Sequence, residues 1–489
     1  MRLTRRALLA GAGSTFASAA LAEAPLTSLR PRARVAASDV ITRLVANAGL
    51  SGETGVAVMD LATGAMIEDV AADVQQPPAS VTKAVTALYA LEAMGPNHRF
   101  TTRVFADGPV VNGVLDGNLI LAGGGDPDLA TDDIATLAAR LKDTGLREVR
   151  GDFLVWDEAL RNVDEIDPGQ LDHFGYNPTI TGLNLNYNRV HFEWRREQDG
   201  FATAIDARSE NYRPAVSIAE VDLVDRDAPV FTYRKSGNVD RWTVARGSLN
   251  DEGSRWLPVR HPALYAGEVF ATFMRSHGIV LSKPQETPVT PSGVVLAQFQ
   301  SAPLTEQLRF MLRNSINLSA EVTGMAATKA ITDRVQGMRT SALRMSRWTY
   351  ERCGGVTPLF VDHSGLGDES RISPAEMVGI LGAPNVEPQL YPVLRRRRVF
   401  DSAGQEVVRD GIAVQAKTGT LNFVSSLAGY VRTDKGRRLA FAIFSADLEQ
   451  RAAGILSGAE SPQGARGWGR RARTLQRDII SHLALRLPA

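Results

Sequence analysis

The chain has one cysteine in 489 residues, Cys353, so no intrachain disulfide can brace it even in an oxidising compartment. Charge of either sign is not in excess. Lys plus Arg number 55 against 54 Asp plus Glu, for a formal net charge of +1, and this balance gives no electrostatic reason to expect nucleic acid as a partner. No long hydrophobic run is present, which argues against a membrane-spanning helix. There is no Gly-x-Ser-x-Gly elbow, no His-Glu-x-x-His zinc helix and no Walker phosphate loop. Histidine is scarce, at seven residues, and His363 next to Ser364 does not make a Ser/His pair, because adjacent side chains diverge. Neither a metal nor an organic cofactor is expected.

What is present begins with "MRLTRRALLAGAGSTFASAALAEA", a basic start, a mildly apolar Ala/Gly-rich run and small-residue cleavage sites. This reads as an export signal over 1–24. Thr4-Arg5-Arg6 before Leu8 and Leu9 resembles a twin-arginine signal, although two arginines also fit an ordinary secretory leader. Cleavage after Ala22 removes three arginines and leaves a formal charge of −2. The expected location is the periplasm. With 44% hydrophobic residues the remainder is rich enough in apolar side chains for more than one core.

Texture changes along the chain. "GVAVMDLATGAMIEDV" reads as two strands joined at Ala62-Thr63-Gly64, and "PPASVTKAVTALYALEAMG" as an apolar helix. From about residue 100 to 289, short strand-like runs such as "GNLILAG" and "GDFLVWD" alternate with turn residues. "AGGGDPDL" lacks the spaced glycines of a nucleotide loop and reads as a tight turn. Helical spacing returns from Leu304. "GIAVQAKTGTL" and "SSLAGYVRTDKGRRLAFAIFSAD" read as strands, and "RTLQRDIISHLALRL" as a closing amphipathic helix. That helix is expected to pack on the body, with a membrane-surface contact as the alternative. Arg395 to Arg398 reads as a solvated face, with a glycan or lipid contact as the alternative. The outline is an α+β body in two pieces, 25–99 and 290–489, interrupted by a β-rich insertion over 100–289.

Three short motifs carry chemistry. Ser80-Val-Thr-Lys83 is the only Ser-x-x-Lys in the chain. Residues i and i+3 share a helix face, so Ser80 is either a nucleophile with a base beside it or the cap of a buried helix. Lys417-Thr418-Gly419-Thr420 is the only Lys-Thr-Gly and ends a strand-like run, where a glycine lets another backbone or a ligand come close. Its ammonium and hydroxyls suit a carboxylate; the bland alternative is a hairpin with a solvated lysine. Ser-x-Asn occurs four times, at Ser209, Ser236, Ser248 and Ser315, and only Ser315-Ile316-Asn317 lies in the second helical stretch ahead of Lys-Thr-Gly.

In that order the triplet resembles the penicilloyl-serine transferases, the penicillin-binding proteins and serine β-lactamases. The 235 residues between Ser80 and Ser315, with "HSGLGDESRISP" and "KTGTLNFVSSLAGYV", make the chain similar to the class C low-molecular-mass penicillin-binding proteins. These are D-alanyl-D-alanine carboxypeptidases and endopeptidases. The resemblance implies a penicillin-binding transpeptidase/β-lactamase-like body of antiparallel sheet and helices. It also implies peptidoglycan peptides as substrates and β-lactam antibiotics as covalent inhibitors. By the same resemblance Ser80 is the nucleophile, Lys83 its base and Ser315 a proton relay, while Asn317 holds the substrate amide. Lys417, Thr418, Gly419 and Thr420 form the carboxylate-binding strand. Burial and the neighbouring Lys417 are expected to favour a neutral Lys83. Ile316 and Tyr187 depart from the family pattern. A β-lactamase-like hydrolase and a non-catalytic peptidoglycan-binding protein on the same fold are the rival readings.

Overall fold

The computed structural model describes residues 39–401 and 403–487; the expected leader at 1–24 lies outside them. Six antiparallel strands form the central sheet of the body, in the order Arg395–Arg397, Ala413–Leu421, Val424–Arg432, Arg438–Ala446, Glu53–Asp60, Met66–Val70. Both ends of the sequence therefore meet in one sheet: Glu53–Asp60 pairs along its whole length with Arg438–Ala446. The three strands over 413–446 and their partner at 53–60 are rich in β-branched and aromatic residues, and both faces are covered.

One face packs on the Thr82–Met94 helix and its neighbours, through Val85, Leu88, Tyr89, Ala428, Tyr430 and Phe444. The other is closed by the Ala465–Leu485 helix, whose Leu475, Ile479, Ile480 and Leu483 meet Val58, Leu427, Phe441 and Ile443. The apolar side of that helix is thus spent on the sheet, as a closing helix requires. Among the described residues no helix is long and apolar enough to cross a membrane.

The inserted segment has its own core and its own five-stranded sheet, ordered Gln285–Glu286, Phe153–Trp156, Leu119–Ala122, Thr101–Ala106, Val294–Gln300. Val294–Gln300 pairs antiparallel with Thr101–Ala106, so the chain leaves and re-enters the body through adjacent strands and the insert runs on to Gln300. Two helices, Thr131–Asp143 and Pro262–Ser276, accompany smaller three-stranded sheets. The "GGGDPDL" segment is a turn in which Asp126 Oδ1 accepts the Asp128 N–H. It also grips the body: Gln307 Nε2 donates to Asp126 Oδ1 at 3.0 Å, and Ser319 Oγ donates to Asp128 Oδ1 at 2.8 Å. Those two partners belong to the helices Leu304–Asn314 and Asn317–Thr332, on either side of the Ser315-Ile-Asn317 motif.

Candidate active site

Ser80 does not cap the helix. It sits in a 3-10 turn, Ala79–Val81, that runs into the Thr82–Met94 helix, and neither helix start has a side-chain cap. Its hydroxyl instead meets Lys83 Nζ at 2.9 Å, the i, i+3 contact expected of one helix face. Ala79 adopts a left-handed φ of +46°, uncommon for a residue with a Cβ. Two glycines press on this turn. A Cβ on Gly365, itself at φ +73°, would lie 1.9 Å from Ala79 O; one on Gly419 would lie 2.5 Å from Pro78 O and 3.0 Å from Ser80 N. Gly419 thus lets the Lys-Thr-Gly strand run directly against the Ser80 backbone.

Lys83 is fully buried, and its nitrogen has three partners: Ser80 Oγ, Asn317 Oδ1 at 2.8 Å and the Ser364 carbonyl at 2.8 Å. Two of these can only accept a hydrogen bond; the third, a hydroxyl, can also donate. A neutral amine has two N–H groups and one lone pair, so it satisfies all three with the lone pair turned to Ser80. Burial brings the Lys83 pKa down to about 7, against the opposing pull of Asp362 and Glu321. The expected help from Lys417 is not the cause. Burial in turn pushes both carboxylates up. Each is anchored by backbone N–H groups, Glu321 by His363 and Ser364, Asp362 by Gly365 and Gly367.

Ser315 is the left-handed residue between the Leu304–Asn314 and Asn317–Thr332 helices. Its hydroxyl accepts from Lys417 Nζ at 3.0 Å, and Lys417 also donates to the Thr418 carbonyl at 2.7 Å. Lys417 is buried with no carboxylate among the causes that shift it. Burial, then Lys83, Arg397 and Arg395, hold its pKa well below the usual lysine value. Asn317 turns its Oδ1 to Lys83 and donates Nδ2 to the Tyr176 carbonyl at 2.9 Å. Ser80, Ser315, Asn317, Thr420 and Tyr176 share one cleft of about 750 Å³. Ser209, Ser236 and Ser248 lie on the inserted segment and do not line this cleft.

Several residues here escaped the sequence reading. Ser364, Gly365 and Asp362 belong to the "DHSGLGDES" run around His363. His363 itself points away, with Nε2 2.8 Å from Ser341 Oγ, and burial holds its pKa down to about 3, so it stays neutral. Tyr176 and Arg451, which pairs with Asp368 at 2.5 Å, also line the cleft. No local pattern marks either one. Among the described residues no cluster of His, Cys, Asp or Glu has metal-binding geometry.

Known proteins share this chain and its architecture. It is 28% identical over 468 residues to a D-alanyl-D-alanine carboxypeptidase of Actinomadura sp., covering 87% of this chain and 83% of that one. To the D-alanyl-D-alanine carboxypeptidase DacB of Haemophilus influenzae it is 25% identical over 397 residues, covering 76% and 82%. The crystal structure of penicillin binding protein 4 (dacB) from Haemophilus influenzae superposes with a TM-score of 0.71 at 22% identity, over 90% of this chain and 99% of that one. That likeness establishes the penicillin-binding protein/β-lactamase-like α+β fold. The D-Ala-D-Ala carboxypeptidase 3 (S13) family matches residues 38–455, most of the chain, and the protein belongs to that family.

Proposed function

We propose that this protein is an exported serine D-alanyl-D-alanine carboxypeptidase and endopeptidase that acts on peptidoglycan stem peptides and their cross-links through an acyl-enzyme on Ser80. One observation carries the reading: a fully buried lysine whose only non-obligate acceptor partner is the Ser80 hydroxyl, with a pKa of about 7. The relatives' names, D-alanyl-D-alanine carboxypeptidase, support it.

The neutral Lys83 amine takes the Ser80 proton as Oγ attacks the carbonyl between two D-alanines. Backbone N–H groups of Ser80 and Thr420, brought together by the Gly419 approach, receive the developing oxyanion. The C–N bond then breaks, and the leaving amine takes the proton from Lys83 by way of the Ser315 hydroxyl, itself held by Lys417, which leaves Lys83 neutral again. Water attacks the ester and gives a proton to Lys83, which passes it to Ser80 Oγ as the acyl C–O bond breaks, so the net reaction is amide plus water to acid plus amine. Asn317 fixes Lys83 with its oxygen and retains one amide N–H for the substrate. Lys417, Thr418 and Thr420 read the carboxylate beside the scissile amide, which supplies the counter-charge that Lys417 lacks. A β-lactam presents the same amide and carboxylate in a ring and acylates Ser80.

The site needs no metal or organic cofactor for these steps. The leader read at 1–24 sends the protein to the periplasm, where this substrate lies.

Intact-protein mass spectrometry with penicillin is expected to give one adduct on the peptide holding Ser80. Digestion of cross-linked muropeptides should yield monomers and release D-alanine from pentapeptides. An adduct that persists in Ser80→Ala would overturn the nucleophile. Acylation followed by fast release, with no muropeptide cleaved, would make the protein a β-lactamase. No adduct and no cleavage would leave a binding protein on this fold.

A further inference from the structure

A second cavity, of about 380 Å³, opens on the other flank of the Lys-Thr-Gly strand. Thr418, Gly419 and Thr420 line one side of it, and Thr420 and Arg473 also line the main cleft, so the two spaces adjoin at those residues. Six arginines stand in its remaining wall, beside Phe400, Leu427, Gln476 and Ile480. Arg395 to Arg398 come from the edge strand and the residue after it, and Arg473 and Arg477 from the closing helix. Arg473 and Arg477 are i, i+4 neighbours and so share one helix face. Arg397 is half-buried, while Arg395, Arg396, Arg473 and Arg477 are exposed. No acid lines this cavity. Arg398 has Glu406 at 3.5 Å and Arg477 has Asp478 at 3.3 Å. Among the described residues Arg395, Arg396, Arg397 and Arg473 have no ion-pair partner.

Such a concentration of like charge opposes itself: Arg395 helps to lower the Arg397 pKa, and both push down Lys417. An anion in the cavity would relieve that repulsion, and planar guanidinium groups suit carboxylates. The position of the cavity says which anion. Thr418 and Thr420 receive the carboxylate of the leaving group, so a space that begins at these threonines lies on the leaving side of the scissile amide. A free terminal D-alanine brings one carboxylate, which Lys417 meets. A leaving stem peptide, released from a cross-link, brings further carboxylates that extend beyond it.

We propose that the Arg395–Arg398 strand and Arg473/Arg477 form a subsite for the carboxylates of the leaving stem peptide and so favour cross-link cleavage over trimming of terminal D-alanine. The inference rests on the peptidase reading above. It assigns the arginine run to substrate selection, where the sequence alone suggested a solvated face.

The test compares wild type with the triple variant Arg396→Gln/Arg473→Gln/Arg477→Gln, on a cross-linked muropeptide dimer and on a monomeric pentapeptide. Loss of three exposed ion pairs should lower the dimer-to-pentapeptide ratio of kcat/KM by about tenfold. The fall should appear mainly in KM. Wild type should lose the same preference when the leaving-strand carboxylates are amidated, or when salt is raised enough to screen exposed charges. The rate of penicillin acylation, which involves no leaving strand, reports on the catalytic centre and on folding. An unchanged ratio in the variant, or equal losses on dimer, pentapeptide and penicillin, would overturn the subsite. So would loss of binding to anionic phospholipid vesicles with the ratio intact, which would assign the patch to a membrane. If wild type is acylated by penicillin but shows no leaving-strand preference, the subsite alone fails. If it is not acylated and cleaves neither peptide, the peptidase reading fails first.

Discussion

Two buried lysines, Lys83 and Lys417, stand behind the cleft through their contacts with Ser80 and Ser315, in opposite electrostatic surroundings. Lys83 has two carboxylates within electrostatic reach, Asp362 and Glu321, which partly oppose the effect of burial and leave its pKa near 7. Lys417 has only cations, Lys83, Arg397 and Arg395, and no acid to offset them. The first setting yields an amine that exchanges a proton near neutrality, as a general base must. The second depresses the Lys417 pKa, and in the proposed binding mode a substrate carboxylate would favour its charged form again. Desolvation is common to both. Burial lowers both; the carboxylates behind Lys83 hold its pKa up near 7, whereas the cations behind Lys417 add to the lowering.

The largest effect should come from erasing the base. Lys83→Met is expected to slow penicillin acylation by about 10²- to 10⁴-fold, the usual contribution of a positioned proton acceptor, measured by stopped reaction and intact mass. A variant that retained wild-type acylation would place the base elsewhere. Ser315→Ala should cost about 10²-fold by the same measurement, and Ser236→Ala or Ser248→Ala should not.

Separating the two lysines physically should come next. In Gly419→Ala the new Cβ meets Pro78 O and the Ser80 N–H, so the strand must back away from the turn. Displacements of this order lower rates by about 10- to 100-fold, and a crystal structure of the variant should show the strand moved. Wild-type acylation with an unmoved strand would mean the close approach is dispensable.

Removal of the anion receptor is milder. Lys417→Met should lower terminal D-alanine release and cross-link cleavage together by about 10- to 100-fold, as expected for one charge-assisted hydrogen bond of about 1.5–3 kcal/mol. Amidation of the substrate's carboxylate should harm wild type but add little to the variant. Additive losses in that double cycle would separate Lys417 from the carboxylate.

The smallest effect is on pH dependence, and it sharpens the comparison most. The base is active when neutral, so acylation should rise with pH through a midpoint near 7. Asp362 favours the charged form of Lys83; Asp362→Asn should therefore move this limb to lower pH. Lys417 is active when charged and its pKa is lowered, so kcat/KM should fall on the alkaline side earlier than an ordinary lysine would cause. An acid limb that did not respond to Asp362→Asn would sever the carboxylates from the base.

Much of this centre could be read from the chain itself. Ser80 and Lys83 are local partners, three residues apart on one helix, and Lys417 to Thr420 are consecutive on one strand. Helical and strand periods alone fix which of these side chains share a face. The choice of Ser315 from four Ser-x-Asn runs depended on chain order, and the structure brings that one into the cleft. His363, by contrast, reads as structural because its side chain diverges from that of Ser364, and the structure buries it against Ser341.

Sequence by itself pointed to the α+β body and its interruption through periodicity and texture, to the motifs through spacing within a few residues, and to the family through the order and long separation of those motifs. Only the tertiary structure decided what surrounds them. Tyr176, Asn317, Glu321, Asp362 and Ser364 lie between 96 and 284 residues from Ser80 in the chain, yet they hold Lys83, set its charge or fix its partners. The arginines of the edge strand and the closing helix are nearly as remote from each other, and meet beside Thr418 only because the sheet and helix pack. Electrostatics and desolvation act through space, over distances of a few ångströms that the linear chain does not record.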